Sequence, residues 1–384
     1  MTLHCGTRVT ALPPSGTIAV GRRVQALRRK GIEVINLAGG KPTPGPDCLS
    51  GPIQFPPERN VLGHPAGEID LRQAIAAKLR REQQLVYEPE TEVVVTIGAK
   101  QSVYASLLAL IEPGDQVLIL DPCWVTYGPA IQLAGGVPVP VQLCQPGYRL
   151  ETKALESRVT PSTRGLIINT PHNPTCRVFG RDELAAVANF AIEHNIWVLA
   201  DESFDKFVFD RRPHISLATL SGMRERTVTL QSFSKAYALP GCRVGYLAGP
   251  ASICQAIARF NEQVISCVSP IAQEIALRAL SGEPEWTKKL QQQYQAKRDV
   301  AVEGLLRINK VRCPVPEGTF YAFPDITALG RSSSELTAYL LDEGRIAVTA
   351  GSAFGAGGEG HIRVNLVGPI ETIRQGLERM RTLL

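Results

Sequence analysis

Short runs of β-branched and other apolar residues alternate along most of the chain with stretches whose apolar residues recur every three or four positions. Residues 182–194 form one such amphipathic helix pattern between two apolar runs. Strands that are apolar throughout and separated by amphipathic helices are typical of a mostly parallel sheet with helices on both faces. The predicted strands are 92–97, 116–120, 137–143, 165–169, 197–201, 226–230 and 244–247.

The pattern changes near residue 285. A long polar helix is predicted at 286–307, and the shorter strands and helices that follow form a compact α+β unit. At the other end of the chain, a predicted helix at 17–30 and a strand at 34–37 precede a loop rich in Gly and Pro. We therefore predict a large domain at 46–284, a small domain at 285–384, and an N-terminal segment, 1–45, that packs with the small domain.

Composition narrows the class of protein. The chain has 384 residues, 44% of them hydrophobic, which is more than one core usually holds. The net charge of +5 is spread thinly, so no nucleic-acid partner is expected. The nine cysteines include no Cys-x-x-Cys pair, which argues against a zinc site or a disulfide framework. With no secretory signal and no apolar run long enough for a membrane helix, we expect a cytoplasmic protein and no membrane partner.

The stretch from Ser232 to Arg243 carries the strongest chemical signal. Lys235 lies between two serines, Ser232 and Ser234, and Arg243 follows eight residues later. A lysine can form an imine with an aldehyde, and serine hydroxyls with an arginine fork suit a phosphate. The alternative is a surface lysine in a polar turn.

Polar residues also follow several predicted strands. The amides of Gly98, Ala99 and Lys100 begin a helix after a strand, where an anion can bind, although an ordinary turn explains the same pattern. Trp124 follows another strand, where it could stack on a flat ring of a ligand or could be a structural residue. Ligands collect at the carboxyl ends of parallel strands.

Three further polar residues have a functional and a structural interpretation. Asn173 lies between two prolines in a rigid loop, where its peptide bond to Pro174 can be cis, or the loop is only a turn. Asp201 follows an apolar strand and needs a partner, such as a protonated pyridine, unless it caps a helix. Arg363 interrupts an apolar strand, so it binds an anionic ligand or forms a structural ion pair.

Taken together and in this order, these residues resemble the fold-type I, pyridoxal-phosphate-dependent aminotransferases of class I/II, in particular the bacterial aspartate and prephenate branch. The resemblance runs from end to end. The matching pieces are Leu37 to Pro42, His64 to Gly67 with Leu71 and Arg72, Gly98 to Lys100, Trp124 with Tyr127, Asn173 to Thr175, Asp201 with Glu202, Ser232 to Lys235 with Arg243, Pro316 to Tyr321, and Arg363.

The resemblance implies the aspartate aminotransferase-like fold and pyridoxal 5'-phosphate as the cofactor. It implies that Lys235 carries the cofactor as a Schiff base and moves the substrate proton, and that Asp201 pairs with the pyridine nitrogen. Asn173 would donate to the phenolic oxygen of the cofactor, and Trp124 would stack on its ring. A homodimer with shared active sites is also implied, with an amino acid and a 2-oxo acid as substrates.

The same resemblance supplies the two anion sites. Arg363 would bind the substrate carboxylate, with Gly40 close by, and no metal is expected. The phosphate would be bound by Ser232, Ser234, Arg243 and the helix start at Gly98, Ala99 and Lys100.

The chain also departs from the family pattern. Phe204 stands where the family has a tyrosine that donates to the phenolic oxygen, so we expect a raised pKa for the imine. Leu62 replaces a common tyrosine, Cys176 a common glycine and Lys41 a common glutamate. These changes surround the expected cofactor, so they bear on the reaction more than on the fold.

Three functions therefore stay open from the sequence. Amino-group transfer is the leading one. A β- or γ-replacement, a cyclisation or a decarboxylation on the same scaffold is the second. A ligand-sensing module is the third, although no helix-turn-helix pattern flanks the domain.

Overall fold

The computed structural model describes residues 4–39, 49 and 61–384. Within them the helices are α1 Thr7–Thr10, α2 Gly16–Arg29, α3 Ile69–Gln83, α4 Ala99–Leu110, α5 Tyr127–Leu133, α6 Thr152–Glu156, α7 Arg181–Glu193, α8 Phe233–Ala236, α9 Ala251–Val264, α10 Pro270–Ser281, α11 Glu283–Leu306, α12 Ser333–Asp342 and α13 Ile370–Leu383. The strands are β1 Ile35–Asn36, β2 Val93–Thr96, β3 Gln116–Asp121, β4 Val137–Gln142, β5 Thr163–Asn169, β6 Trp197–Asp201, β7 Thr227–Ser232, β8 Gly245–Ala248, β9 Tyr321–Ala322, β10 Ile346–Ala347, β11 Thr349–Ala350 and β12 Ile362–Asn365.

Seven strands form the central sheet in the order β2-β8-β7-β6-β5-β3-β4. The pairs among β3 to β7 are parallel, and β8 is antiparallel to both of its neighbours. The predicted seven-stranded, mostly parallel sheet is confirmed. Because the parallel strands run the same way, β3, β5, β6 and β7 all end at one edge, where a crevice for ligands forms.

Helices cover both faces of this sheet, as its continuously apolar strands require. In α7 the carboxylate of Glu183 accepts a 3.0 Å hydrogen bond from the backbone N–H of Gly180, which fixes the start of the helix. Leu184, Val187 and Ala191 on its inner face are buried. Two helices, α9 and α10, lie where the sequence pattern predicted no element.

The C-terminal residues build a second core beside the sheet. There β9, β12 and β11 form an antiparallel sheet, and buried residues of α11, α12 and α13 pack together with it. The adjacent strands β10 and β11 belong to different sheets, because β10 pairs with β1 and β11 pairs with β12.

The N-terminal segment contacts this second core. β1 runs parallel to β10, with Ile35 opposite Ile346. Arg23 of α2 forms a 2.6 Å ion pair with Asp342 at the end of α12. These contacts bring α2 towards the edge of the central sheet at which the parallel strands end.

Two bulk features bear on the class of protein. In the part of the chain that the structure describes, no helix combines the length and apolar character that a membrane crossing requires. The eight cysteines in the same part are free thiols.

Candidate active site

A cavity of about 290 Å³ lies at the edge where the parallel strands end. Eleven of the residues predicted from sequence line it, although they come from distant parts of the chain. They are Ala99, Lys100, Trp124, Asn173, Asp201, Phe204, Ser232, Ser234, Lys235, Arg243 and Arg363. Of the other two predicted residues, Gly98 packs directly behind Arg243, and Gly40 lies outside the described residues.

Lys235 reaches the cavity because β7 ends at Ser232 and the short helix α8 begins at the next residue. The Ser232 hydroxyl accepts a 3.1 Å hydrogen bond from the backbone N–H of Ser234, which fixes this turn. The Lys235 ammonium lies 5.2 Å from the ring centre of Phe320 and 5.7 Å from that of Phe204. The alternative of a surface lysine in a polar turn therefore does not apply, because aromatic rings form part of the surroundings of Lys235.

Asp201 ends β6 and is only 4% exposed. Its Oδ2 accepts a 2.7 Å hydrogen bond from the Tyr127 hydroxyl, and its Oδ1 accepts one of 3.0 Å from the backbone N–H of Ser203. Burial raises the pKa of Asp201, while these hydrogen bonds and the nearby Lys235 oppose the rise. No helix begins at Asp201, so the N-cap alternative does not apply.

An anion-binding geometry surrounds the start of α4. Gly98 precedes the helix with a φ of 86°, and Arg243 has a φ of 52°. The Arg243 guanidinium donates to the carbonyl of Ile97 at 3.2 Å and approaches the Ser234 hydroxyl at 3.4 Å. A Cβ at Gly98 would lie 2.6 Å from Arg243 Nη2, so only glycine allows this approach. A cation, a hydroxyl and free helix amides thus face the same place.

Arg363 is only 5% exposed, in the middle of β12. Its Nη1 donates a 2.8 Å hydrogen bond to Oδ1 of Asn173, and its guanidinium carbon lies 4.1 Å from the ring centre of Tyr321 and 4.6 Å from that of Phe354. Its Nε is buried and has no hydrogen-bond partner among the described residues, and burial lowers the pKa of the guanidinium. In the described residues it forms no ion pair, so the structural alternative is not observed and a donor remains for an anion.

Asn173 is held by its own loop. Its backbone N–H donates a 2.8 Å hydrogen bond to Oδ1 of Asn169, and its peptide bond with Pro174 is cis. Because its side-chain oxygen is occupied by Arg363, its side-chain nitrogen is the group that can donate to a ligand.

Trp124 and Lys100 line one wall. The Trp124 ring packs edge-on against Tyr127, with 5.5 Å between the ring centres. The Lys100 ammonium lies 5.6 Å from the Trp124 ring centre. Burial and the charge of Arg243 lower the pKa of Lys100. No hydrogen bond or ion pair to an acidic side chain is seen for it in the described part of the chain.

The sequence interpretation missed several side chains of the cavity. Tyr127 was noted only as part of the resemblance, although its position just after a strand end carried the same signal as Trp124. Thr17 lines the cavity from α2, and Asn169, Ser203, Pro240 and Tyr321 complete the wall. Only the tertiary fold brings Thr17 here, so no local pattern could have shown it.

The unusual residues have distinct surroundings. Phe204 is 4% exposed and packs edge-on against Phe207, Phe320 and Tyr321, so its ring offers no hydrogen bond to the cavity. Cys176 has a φ of 64°, a backbone conformation that explains why glycine suits this position. Leu62 is 81% exposed. Lys41 lies outside the described residues.

A lysine, a buried carboxylate, an anion cradle and a buried guanidinium that forms no ion pair within the described residues surround one cavity. The sequence model of the family Aminotransferase class I and II matches residues 47–380. The chain belongs to this family, so it is an aminotransferase, and the predicted family is confirmed.

Particular relatives are similar along nearly the whole length. The probable aspartate/prephenate aminotransferase of Aquifex aeolicus is 34% identical over 395 residues, covering 98% of each chain. The aromatic-amino-acid aminotransferase 2 of Thermococcus litoralis is 36% identical, covering 83% of this chain and 82% of its own. The aspartate aminotransferase from Thermus thermophilus with maleate superposes with a TM-score of 0.93 at 31% identity over the full length of both chains. This likeness confirms the predicted fold.

Proposed function

We propose that the protein uses pyridoxal 5'-phosphate to transfer the amino group of an α-amino acid to a 2-oxo acid, with the cofactor in the 290 Å³ cavity. The observation that carries the proposal is the convergence of Lys235, Asp201 and Arg363 on that one cavity. When bound, the cofactor withdraws electrons from the substrate and so acidifies its Cα–H bond.

The residues present fit this cofactor. Asp201 offers a buried carboxylate to a pyridine nitrogen, and Tyr127 and Ser203 hold both of its oxygens in place. Ser234, Arg243 and the amides of α4 would bind the phosphate. The absence of a side chain at Gly98 is what leaves the Arg243 guanidinium in that cradle. Asn173 would donate to the phenolic oxygen, and Trp124 would cover the ring.

Lys235 would perform the proton transfers. Its amine is the group that would hold the cofactor aldehyde, and as a free amine it would serve as the base that carries the substrate proton. The aromatic rings of Phe204 and Phe320 lie close to this nitrogen and would limit the access of water to it. A dry site strengthens the pairing of the other charged groups.

Arg363 would orient the substrate. Its guanidinium is fixed by Asn173 and packed against two rings, so it can hold the α-carboxylate in one place with little loss of entropy. Holding that carboxylate sets the direction of the Cα–H bond relative to Lys235.

The Lys100 ammonium favours substrates with a second carboxylate. It is a cation in the cavity wall without an acidic partner in the described residues. An acidic amino acid would place a side-chain carboxylate there, whereas an aromatic one would use Trp124 and Tyr321. We propose acidic amino acids as the preferred donors.

We further propose the domain division 1–45, 46–284 and 285–384, and a homodimer with shared active sites. The dimer is supported by the family and by the exposed apolar pair Val61 and Leu62, which are 65% and 81% exposed. Sedimentation of the purified protein at several concentrations tests it.

The proposed reaction is tested by mixing the protein, loaded with pyridoxal phosphate, with single amino acids and following the cofactor spectrum. We expect conversion to the amine form of the cofactor, and its reversal by a 2-oxo acid. Lys235→Ala should lose both, whereas Lys153→Ala, an exposed lysine on α6, should retain both. Turnover of the amino acid without that conversion would instead indicate a replacement or decarboxylation.

A further inference from the structure

The carboxylate of Asp121 joins the end of β3 to a loop of the C-terminal unit. Asp121 is 5% exposed. Both of its oxygens lie 3.1 Å from the backbone nitrogen of Gly357, which donates to them, and the side-chain amide of Gln142 donates to Oδ2. An acidic group with two donors aimed at it is fixed much more firmly than one that faces solvent.

The loop is shaped to receive this carboxylate. It consists of two short 3₁₀ turns, Gly351–Phe354 and Ala356–Gly358. Gly355 has a φ of 120°, and a Cβ there would overlap the Asp121 carboxylate. A Cβ at Gly357 would lie 2.8 Å from the carbonyl oxygen of Asp121. Both glycines are therefore required by the close approach of the loop to the end of β3.

A second contact holds the same loop. The backbone N–H of Cys123 donates a 2.8 Å hydrogen bond to the carbonyl of Phe354. Phe354 is the residue whose ring centre lies 4.6 Å from the guanidinium carbon of Arg363. The strand end that carries Asp121 also leads directly into Trp124. One loop contact thus connects two walls of the cavity.

We propose that Asp121 is a positioning residue for substrate binding: through Gly357 it holds the 351–358 loop against β3 and so keeps the Phe354 ring against the Arg363 guanidinium. This role rests on the proposed function, in which Arg363 binds the substrate carboxylate. Asp121 contacts neither the cofactor site nor Lys235, since it is absent from the cavity lining.

The hydrogen bonds of Asp121, more than its negative charge, are what would hold the loop. Burial raises the pKa of Asp121, and the hydrogen bonds from Gly357 and Gln142 lower it. An asparagine could accept from Gly357 with its oxygen, while the Gln142 side-chain amide rotates so that its oxygen accepts from the new NH₂ group. An alanine would leave the Gly357 N–H and the Gln142 amide without an acceptor.

The experiment therefore compares Asp121→Ala with Asp121→Asn in the protein loaded with pyridoxal phosphate. Asp115→Ala is the matched control, because Asp115 accepts a 2.9 Å hydrogen bond from the N–H of Glu112 beside the opposite end of the same strand. Two quantities are measured: the amide hydrogen exchange of residues 351–358, and the half-saturating concentration of the best amino acid in the half-reaction.

We expect Asp121→Ala to speed exchange in 351–358 and to raise the half-saturating concentration, each by about tenfold, with a much smaller change in the maximal rate. Asp121→Asn and Asp115→Ala should stay within about twofold of wild type in both. Unchanged exchange in Asp121→Ala overturns the loop contact. Faster exchange with an unchanged half-saturating concentration overturns the positioning role, as does an Asn variant as damaged as the Ala variant. If wild type converts no amino acid, the proposed function fails, while the exchange data still decide whether Asp121 holds the loop.

Discussion

The Tyr127 hydroxyl donates a 2.7 Å hydrogen bond to Oδ2 of Asp201 across 74 positions of sequence. Tyr127 begins α5 after β3, and Asp201 ends β6. The two strand ends lie at the same edge of a parallel sheet, which is why these residues meet. This bond is one of the interactions that lower the pKa of Asp201 against the effect of burial, so it bears directly on the proposed chemistry.

Removing that hydroxyl should shift the pH dependence of the reaction. Burial raises the pKa of Asp201 and the bond from Tyr127 lowers it, so Tyr127→Phe should raise the pKa further. The carboxylate then becomes protonated at a higher pH. The acid limb of the kcat/KM profile therefore shifts to higher pH, with about a tenfold loss of kcat/KM near neutral pH. A pH profile of the half-reaction measures both.

Tyr104→Phe is the control for this change. Tyr104 lies on α4 against the same apolar cluster as Tyr127, and it does not line the cavity. It should leave the acid limb in place. An acid limb that is the same in Tyr127→Phe and wild type would contradict the role given to the Tyr127–Asp201 bond.

Gly98→Ala should weaken cofactor binding through Arg243. Both Gly98 and Gly114 have a positive φ, 86° and 91°, which other residues rarely adopt, so alanine at either position costs about 1–3 kcal/mol of backbone strain. A Cβ at Gly98 also displaces the Arg243 guanidinium, whereas a Cβ at Gly114 meets nothing within 4 Å. We expect the dissociation constant for pyridoxal phosphate to rise at least about tenfold in Gly98→Ala and to stay close to that of wild type in Gly114→Ala. Equal constants for the two variants, measured by absorbance titration, would argue against a phosphate site beside Arg243.

The structure brings eleven of the predicted residues to one cavity because most of them follow strand ends, and strand ends are visible in sequence. Lys235, Asp201 and Trp124 were placed in this way, whereas Arg363 was noticed because a charge interrupts an apolar strand. What the sequence could not show is the pairing of such residues. The bond between Arg363 and Asn173 spans 190 positions, and the contact of Asp121 with Gly357 spans 236.

The helix α10 shows a different limit of sequence analysis. The buried face of α10 includes Ala272, Ala276 and Ala279, whose small side chains give a weak hydrophobic pattern. They are buried because α3 packs closely against them. Such close packing depends on the residues of α3 as well as on those of α10. Such a helix is specified by its neighbour as much as by its own residues.

Lys100→Met should alter which amino acids react. If the Lys100 ammonium binds a side-chain carboxylate, kcat/KM for aspartate or glutamate should fall by about tenfold or more, and that for phenylalanine should change by less than about threefold. Lys100→Arg retains the charge and should keep most of the preference. The pKa of Lys100 is lowered, so its charge, and the preference for acidic substrates, should be lost as pH rises through that lowered pKa, below the usual value of 10.5. An equal loss for both substrate classes would contradict this assignment.

Phe204→Tyr should shift the absorbance titration of the bound cofactor. Phe204 offers no donor to the phenolic oxygen, so more negative charge stays there and favours the protonated form of the imine. A tyrosine would donate to that oxygen, and the midpoint of the spectral titration should move to lower pH. Phe260→Tyr, on α9, should leave the midpoint unchanged. Identical titrations of wild type and Phe204→Tyr would remove the idea.

A buried charge cluster beneath the site should govern stability in acid. Lys78 on α3 is 1% exposed and binds Asp205, the neighbour of Phe204, at 3.2 Å and Glu82 at 2.9 Å. Burial raises the pKa of Glu82, but Lys78 and Lys206 outweigh it and lower the pKa from 4.5 to about 2. A carboxyl whose pKa is lower in the folded state stabilises the fold above its unfolded pKa, and this contribution disappears as pH falls through the folded pKa.

Glu82→Gln should therefore lower the free energy of unfolding by about 2 kcal/mol near neutral pH. The difference from wild type should shrink as pH falls from about 4.5 towards 2, because wild-type Glu82 becomes protonated over that interval. Urea unfolding at a series of pH values measures this difference. Glu225→Gln, which removes an exposed partner of Arg224, should change little at any pH. A difference between Glu82→Gln and wild type that stays constant with pH would show that the cluster does not hold Glu82 ionised.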